Sequence, residues 1–176
     1  EGDWRRAGVA GGVGGDDLLL SLINQGGDKL DPYQRVTSGL AIRTAGTSSS
    51  VTVRVSVHNA TPPSVRGYAA GGAVAPPRFY SGAVVLDFPR YAGHASVSGS
   101  PRLEAAGPDY GADVLAAPVT VPDGATRTVT FHFQLEGRRG ALDVLPSARV
   151  PPTRWRADGP GGRRRFTDNT AHTIRW

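Results

Sequence analysis

The sequence predicts an all-β protein built as a sandwich of sheets. In residues 51–57 valine takes every odd position and polar residues take the even ones, which places an apolar stripe on one face of a strand. Several other short segments alternate in the same way, with turn signals between them, and no strand–helix alternation suggests a parallel sheet. These observations favour an antiparallel, immunoglobulin-like β-sandwich with long Gly- and Pro-rich loops and an N-terminal extension.

The composition fits one domain of ordinary size. The chain has 176 residues, of which 24 are Gly and 14 are Pro, and this share favours turns and loops over long helices. We interpret residues 1–33 as an N-terminal extension that can be the end of a preceding domain, and residues 34–176 as the sandwich domain. No apolar run approaches the length that spans a bilayer.

Residue usage excludes several kinds of site. The absence of Cys excludes disulfides, thiolate zinc sites and cysteine nucleophiles. The formal charge of +5 raises the question of nucleic acid, but the basic residues are scattered apart from short clusters such as residues 163–165. We therefore expect a generally basic surface and no nucleic-acid partner.

The first half of the chain supplies a hairpin around the valine stripe. Residues 18–23 form a short apolar run that we interpret as a strand, although the preceding Asp16 and Asp17 are also compatible with a helix start. Residues 35–44 predict a strand in which Gly39 marks a bulge. A short flexible loop then joins this strand to residues 50–59, so the two strands should pair antiparallel.

The second half alternates strands with loops. Residues 61–77 are rich in Pro and Gly and predict a long loop, and residues 104–113 predict a second one. Residues 126–136 alternate as cleanly as the valine stripe does. The predicted strands after the first loop are residues 78–88, 94–97, 114–121, 126–136, 141–145 and 172–176.

No constellation typical of an enzyme is present. The sequence contains neither a phosphate-binding loop nor a nucleophile elbow. A glycosidase needs two carboxyls held across a sugar, and Asp87 with Asp109 or Asp113 would serve if the fold brought them together. Turn-forming or solvated aspartates are the alternative that we favour, and we expect a non-catalytic module.

The histidines do not predict a metal site. His58 and His132 occupy the wet faces of two strong strands and would meet if those strands were neighbours. We favour two solvated side chains, and we expect no metal and no cofactor.

Four aromatic residues lie in or beside predicted loops and are candidates for binding. Aromatic rings on the rim of a sandwich can stack on sugars or contact a partner, and they can equally close the ends of the core. These candidates are Tyr68, Tyr80, Tyr110 and Trp155.

One stretch resembles a known family. An apolar run at residues 18–23 leads into a signature formed by Asn24, Gly27, Asp28, Lys29, Asp31 and Tyr33. This segment resembles the actinobacterial envelope family called domain of unknown function four thousand and twelve, with Asp28 where that pattern has Asn. The later strand ending at Asn59, the loop carrying Tyr68 and the turn at residues 121–124 are similar as well.

The resemblance implies a setting rather than a reaction. Proteins of that family have an N-terminal membrane helix and an extracytoplasmic region, of which this chain would be the C-terminal part. It therefore implies a location in the cell envelope, with membrane contact only through a part that precedes this chain. A cell-wall glycan or another envelope protein would be the partner, and no catalytic residue is implied.

The loops are where we expect function. The predicted solvent-exposed face of residues 51–57 contains only Thr, Arg and Ser side chains. We therefore look to residues 24–33, 61–77 and 104–113 instead.

Overall fold

The computed structural model describes residues 13–109, 111–137 and 140–176, and these residues are nearly all β. Two short 3-10 turns occur, at Asp31–Tyr33 and Gly67–Ala70, and the described residues contain no α-helix and no helix able to cross a membrane. The strands are β1 (Asp17–Asn24), β2 (Gln34–Ala45), β3 (Ser48–Asn59), β4 (Tyr80–Pro89), β5 (Gly93–Ser98), β6 (Ala105–Asp109), β7 (Ala112–Val121), β8 (Thr126–Glu136), β9 (Ala141–Val144), β10 (Arg154–Gly159), β11 (Gly162–Thr167) and β12 (His172–Arg175).

Two six-stranded sheets pack face to face. The first sheet has the strand order β12-β9-β1-β4-β7-β6 and the second has the order β11-β10-β2-β3-β8-β5. Inward side chains of both sheets form one apolar core, and across it the rings of Phe88 and Phe133 stack with centroids 5.0 Å apart. The prediction of an all-β fold is confirmed.

The strictly antiparallel arrangement was wrong, because each sheet contains one parallel pair. β9 runs parallel to β1, and β10 runs parallel to β2. Parallel neighbours require a crossover between distant parts of the chain, and short-range turn signals carry no trace of such a connection. The sheets are therefore mixed.

The valine stripe lies at the centre of the second sheet. β3 pairs with β2 on one side and with β8 on the other, in continuous antiparallel register. All four stripe valines are at most 1% exposed, and burial of each contributes about 1.5–3 kcal/mol relative to exposure. The predicted hairpin of β2 and β3 is confirmed, and the second clearly alternating segment, β8, is its direct neighbour.

The first sheet includes a strand from the predicted extension. β1 pairs with β4 from Leu19 to Asn24, and its Leu18 and Leu20 lie in the core. Residues 17–33 thus contribute a strand and a turn to the sandwich itself. The strand interpretation of residues 18–23 is confirmed, and residues 1–12 lie outside the described part of the chain.

Three strands lie in segments that were predicted as loops or left unassigned. β6 falls inside the expected loop 104–113, and β10 and β11 form a hairpin in the Pro- and Gly-rich C-terminal region. All three strands are short and lie among Pro and Gly residues, so their sequences predicted loops rather than strands. The predicted bulge at Gly39 was also wrong, because β2 keeps continuous register with both neighbours through that residue.

Candidate binding face

The outer faces of the two sheets carry opposite charge. The outward positions of the first sheet include Asp17, Asp87, Asp109 and Asp143. The outward positions of the second sheet are rich in arginine, and these arginines are Arg35, Arg43, Arg54, Arg154, Arg156, Arg163 and Arg165. The outer face of the second sheet therefore carries a net positive charge, although Asp158 and Glu136 also occupy outward positions there.

A groove of about 800 Å³ runs over this basic face. Four strands build it, namely β11, β10, β2 and β3. Arginines and hydroxyl groups line it, and no acidic residue is among the described residues that do so. The lining residues that matter here are Arg54, Arg154, Arg156, Arg165, Thr37 and Ser56.

The strand pairing places three of these arginines in one row across the sheet. On β10, Arg156 lies opposite Arg165 of the edge strand β11. On its other side, Arg156 lies beside Gly39 of β2. Gly39 lies opposite Arg54 of β3, which completes the row. The neighbouring row contains Arg154 beside Thr37. Strands are about 4.8 Å apart, so the Cα atoms of Arg156 and Arg54 are separated by about 10 Å.

The side chains of the four groove arginines are unpaired within the described part of the chain, where none of these guanidinium groups makes a hydrogen bond or an ion pair. By contrast, Asp158 pairs with Arg43 at 3.6 Å and with Arg163 at 3.3 Å at the margin of the face. The guanidinium groups of the groove are therefore available to a ligand.

Gly39 forms the floor of the groove between two arginines. Glycine inside a strand usually serves a bulge, a positive φ or a close approach of other atoms. None of these applies, because the register is continuous and an added Cβ would meet nothing closer than the Arg54 carbonyl oxygen at 4.0 Å. The missing side chain leaves open space between Arg156 and Arg54.

The signature residues form a polar network at one end of the sandwich. The Asn24 side-chain amide donates to Asp28 Oδ1 at 2.8 Å and to Asp31 Oδ2 at 2.9 Å, and the Leu30 amide also donates to Asp28 Oδ1. Lys29 anchors the next loop, because its backbone amide donates to the Ala69 carbonyl. Gly27 adopts φ +66 in this turn. These contacts close the turn on itself.

The same network reaches the core through Tyr80. Its hydroxyl donates to Asp31 Oδ1 at 3.5 Å, and burial, reinforced by the Asp31 charge, raises the pKa of Tyr80. Arg149 is nearby and donates to the Gln34 carbonyl at 2.8 Å, and burial lowers its pKa. Tyr33 packs against the core, and its carbonyl accepts from the Ala60 amide.

The four aromatic candidates have different environments. Tyr68 is 71% exposed, and the Lys29 ammonium group lies 5.8 Å from its ring centroid. Tyr80 and Trp155 are 0% and 3% exposed and belong to the core, so their rings are not available for stacking on a sugar. Trp155 does line the groove from within the sheet, where it stacks on Phe166. Tyr110 lies outside the described residues.

Two of the three candidate carboxyls come together on the other face. Asp87 is 8% exposed on β4, and Asp109 lies near it on β6. Burial, with a smaller contribution from the Asp109 charge, raises the pKa of Asp87 to about 6. Asp113 lies opposite Phe88, at the next position along the ladder. None of the three lines the groove.

The two candidate histidines do not meet, although their strands are neighbours. In the register of β3 and β8, His58 lies opposite Thr126 and His132 lies opposite Thr52. Six positions along a strand separate the two sites, which is about 20 Å. The Thr52 hydroxyl and His132 Nδ1 lie 3.1 Å apart and form a hydrogen bond.

The groove lies on the face that the sequence led us to set aside. Arg54 and Ser56 belong to the wet face of the valine stripe, where we expected no function. The sequence of β10 does contain one indication of the site, because Arg154 and Arg156 alternate with the apolar residues Trp155 and Ala157. That alternation predicts two outward arginines, but not the strand beside which they lie.

Comparisons with known proteins show no family. No protein-family model matches this sequence, and no curated protein matches it. Among solved structures, one similar fold is a "putative nutrient binding protein" from Legionella pneumophila subsp. pneumophila str. Philadelphia 1, with a TM-score of 0.45 and 10% identity over 82% of this chain and 55% of that chain. Another is native leukotriene A4 hydrolase from Saccharomyces cerevisiae, with a TM-score of 0.33 and 9% identity over 78% of this chain and 26% of that chain. This chain thus spans about half of the first of these proteins and about a quarter of the second.

Proposed function

We propose that this chain is a non-catalytic binding module of a bacterial cell-envelope protein, and that it holds an extended wall polymer across the outer face of its second sheet. The resemblance of the Asn24–Tyr33 signature to an actinobacterial envelope family supports the setting. The groove supports the activity, because it is open and is lined by four arginine side chains that have no partner among the described residues. Extended ligands suit such a surface better than small molecules, which bind in enclosed pockets.

Gly39 is the observation that carries this proposal. A glycine in a central strand costs about 0.5–1 kcal/mol relative to residues with better strand propensity, and the fold gives no reason for it. The space above it joins the two halves of the groove. A ligand that crosses the sheet there accounts for the missing side chain.

The proposal also covers the architecture of the module. We propose that β1, β4, β7 and β6 of the first sheet and β2, β3, β8 and β5 of the second form an immunoglobulin-like core. Every pairing within these two sets is antiparallel, which supports that interpretation. Among the described strands, the parallel pairs arise where β9 and β10 are added.

The substitution Gly39→Thr separates binding from folding. Threonine favours strands, and its Cβ meets no atom closer than 4.0 Å, so the variant should be at least as stable as the wild type. It should also fill the floor of the groove and abolish co-sedimentation with purified actinobacterial wall sacculi. Ala41→Thr, one outward position along the same strand, is the matched control. Failure of the wild-type chain to co-sediment, or full binding by Gly39→Thr, would overturn the proposal.

A polysaccharide-cleaving module is the second candidate, and one observation favours it. Burial, with a smaller contribution from the Asp109 charge, raises the pKa of Asp87 to about 6. A glycosidase requires such a carboxyl, which stays protonated near neutral pH, beside a second carboxyl. Release of reducing ends from wall polysaccharide by the wild type, and its loss in Asp87→Asn, would establish this activity. Equal release by both proteins, or none by either, would exclude it.

A further inference from the structure

We infer that the ligand of the groove is an acidic glycan, whose carboxylate or phosphate groups are bound by Arg54, Arg156 and Arg165. This inference rests on the proposed function and adds the chemical class of the polymer. The acidic character of the ligand is inferred from the arrangement of charges in the groove, whereas the proposed function is carried by the open space over Gly39.

The first argument is the direct opposition of two cations. Arg156 and Arg165 are Cα partners in an antiparallel pair and both point outward. Like charges placed directly opposite each other destabilise a sheet. An anion bound between them removes that repulsion and accepts hydrogen bonds from two guanidinium groups, whose planar geometry matches carboxylate and phosphate oxygens.

The second argument is the position of Arg54. Arginines on an edge strand also serve to discourage edge-to-edge pairing, and this role is sufficient for Arg165 on β11. It does not account for Arg54, because β3 is an interior strand with a neighbour on each side. Edge protection therefore does not explain the row, whereas a ligand that continues across the sheet does.

The third argument is the chemistry between the charges. The outward positions around the arginines include Thr37, Ser56 and Thr130, whose hydroxyl groups suit the hydroxyl groups of sugars. Asp158 also lies near Arg156 on this face, but its carboxylate is paired with Arg43 and Arg163. Single-stranded nucleic acid is bound on aromatic platforms. The two aromatic residues that line the groove, Trp155 and Phe166, stack on each other and pack in or against the core, and no aromatic side chain occupies an outward position of these two rows within the described strands. Anionic groups about 10 Å apart along the polymer would meet Arg156 and Arg54, with a sugar lying over Gly39.

Binding to polymers of defined charge tests the inference. The full chain is titrated with three fluorescently labelled glycans of similar length, namely an oligogalacturonide, a polyglycerol phosphate and a neutral galactan. We expect at least one acidic glycan to bind about tenfold more tightly than the galactan, and its affinity to fall as salt is raised. A preference for the oligogalacturonide assigns carboxylate as the bound group, and a preference for the polyglycerol phosphate assigns phosphate.

Matched variants locate the site. Arg54→Ser and Arg156→Ser should each weaken binding of the preferred acidic glycan about tenfold, because each removes a charge-assisted contact. Arg102→Ser removes the same charge from an exposed loop away from the groove and should leave the affinity unchanged. An equal loss in Arg102→Ser would show unspecific attraction and overturn the inference, as would tighter binding of a single-stranded oligonucleotide of equal charge.

The two proposals fail in different ways. Binding of wall sacculi and neutral galactan that is insensitive to salt and to Arg156→Ser would overturn the acidic ligand while leaving the binding module intact. An absence of binding to every glycan and to sacculi would overturn both proposals.

Discussion

Arg156 of β10 lies directly opposite Arg165 of β11, so two cations face each other on the outer surface of the second sheet. The neighbouring pair of the same hairpin is different, because Arg163 lies opposite Asp158 and bonds to it at 3.3 Å. One short hairpin thus contains a compensated pair beside an uncompensated one. The pair of Arg156 and Arg165 does not stabilise the fold, whereas the pair of Arg163 and Asp158 does. Mutation of one arginine in each pair should therefore change the free energy of unfolding in opposite directions.

Arg165→Thr should stabilise the free protein. The substitution removes the repulsion between Arg165 and Arg156 and introduces a residue that favours strands, so we expect a gain of up to about 1 kcal/mol. The free energy of unfolding in urea measures this gain. It should be largest at about 0.01 M salt and should shrink at about 1 M salt, where the Debye length is only about 3 Å.

Arg163→Thr is the control for this measurement, because Arg163 has a carboxylate partner. It should be neutral or slightly destabilising at low salt, since an exposed ion pair contributes about 0–1 kcal/mol. Equal effects of the two substitutions would show that the opposed arginines do not repel each other measurably.

Asn59 should be among the most sensitive polar residues of the protein. Its side chain is fully buried. The amide nitrogen donates to the backbone carbonyls of Arg78 at 2.8 Å and Val121 at 3.0 Å. The amide oxygen accepts from the Thr61 hydroxyl and from the Gln34 side chain. Asn59→Ala leaves these buried groups without partners, and we expect a loss of about 2–4 kcal/mol in urea unfolding. Thr61→Val removes the bond from the Thr61 hydroxyl to Asn59 and should cost about 1 kcal/mol. A similar loss in both variants would show that the network is not centred on Asn59.

The turn at Asp28 should tolerate Asn but not Ala. The Asp28 Oδ1 atom accepts from the Asn24 side chain at 2.8 Å and from the Leu30 amide at 3.0 Å, and an amide oxygen can accept both bonds. Asp28→Asn should therefore change stability by less than about 0.5 kcal/mol, whereas Asp28→Ala should cost about 1–3 kcal/mol. Thermal unfolding of the two variants measures the difference. Equal losses would mean that the charge, rather than the two bonds, holds the turn.

The strands with clean alternation were predictable from the sequence, and those defined by distant contacts were not. β3 alternates over its whole length and β8 does so from Thr128 onward, because each buries one face in the core and exposes the other. β6 has no such pattern, since both of its faces are mostly exposed at a sheet edge. Its residues are held by pairing with β7, which no local signal reports.

The candidate site was missed for the same physical reason. Arg54, Arg156 and Arg165 are 102 and 9 positions apart along the chain, and they share one row only because β10 runs parallel to β2. A parallel pair requires a crossover connection between distant parts of the chain, and the pattern of a single sequence does not indicate which strands are joined in this way. The signature residues were easier to find because Asn24, Asp28 and Asp31 are close in sequence and contact one another locally.

Asp87 should make the protein more stable in mild acid. Burial raises the pKa of Asp87 from 3.8 to about 6, and the charge of Asp109 adds to this effect. Between these two values the folded state binds more protons than the unfolded state, so the stability contributed by this group decreases as pH rises through that window. At pH 7 the buried carboxylate is charged in both states and costs on the order of 3 kcal/mol.

Asp87→Asn should remove this cost and its pH dependence. An amide remains neutral at every pH, so the variant should unfold at higher urea than the wild type at about pH 7 and at similar urea at about pH 4. Asp109→Asn is the companion variant, because removal of its charge should lower the pKa of Asp87 and move the wild-type transition to lower pH without abolishing it. Urea unfolding at intervals between these two pH values measures all three proteins. A wild-type stability that is flat across the window, or an Asp87→Asn variant that remains as pH-dependent as the wild type, would show that Asp87 is not the titrating group.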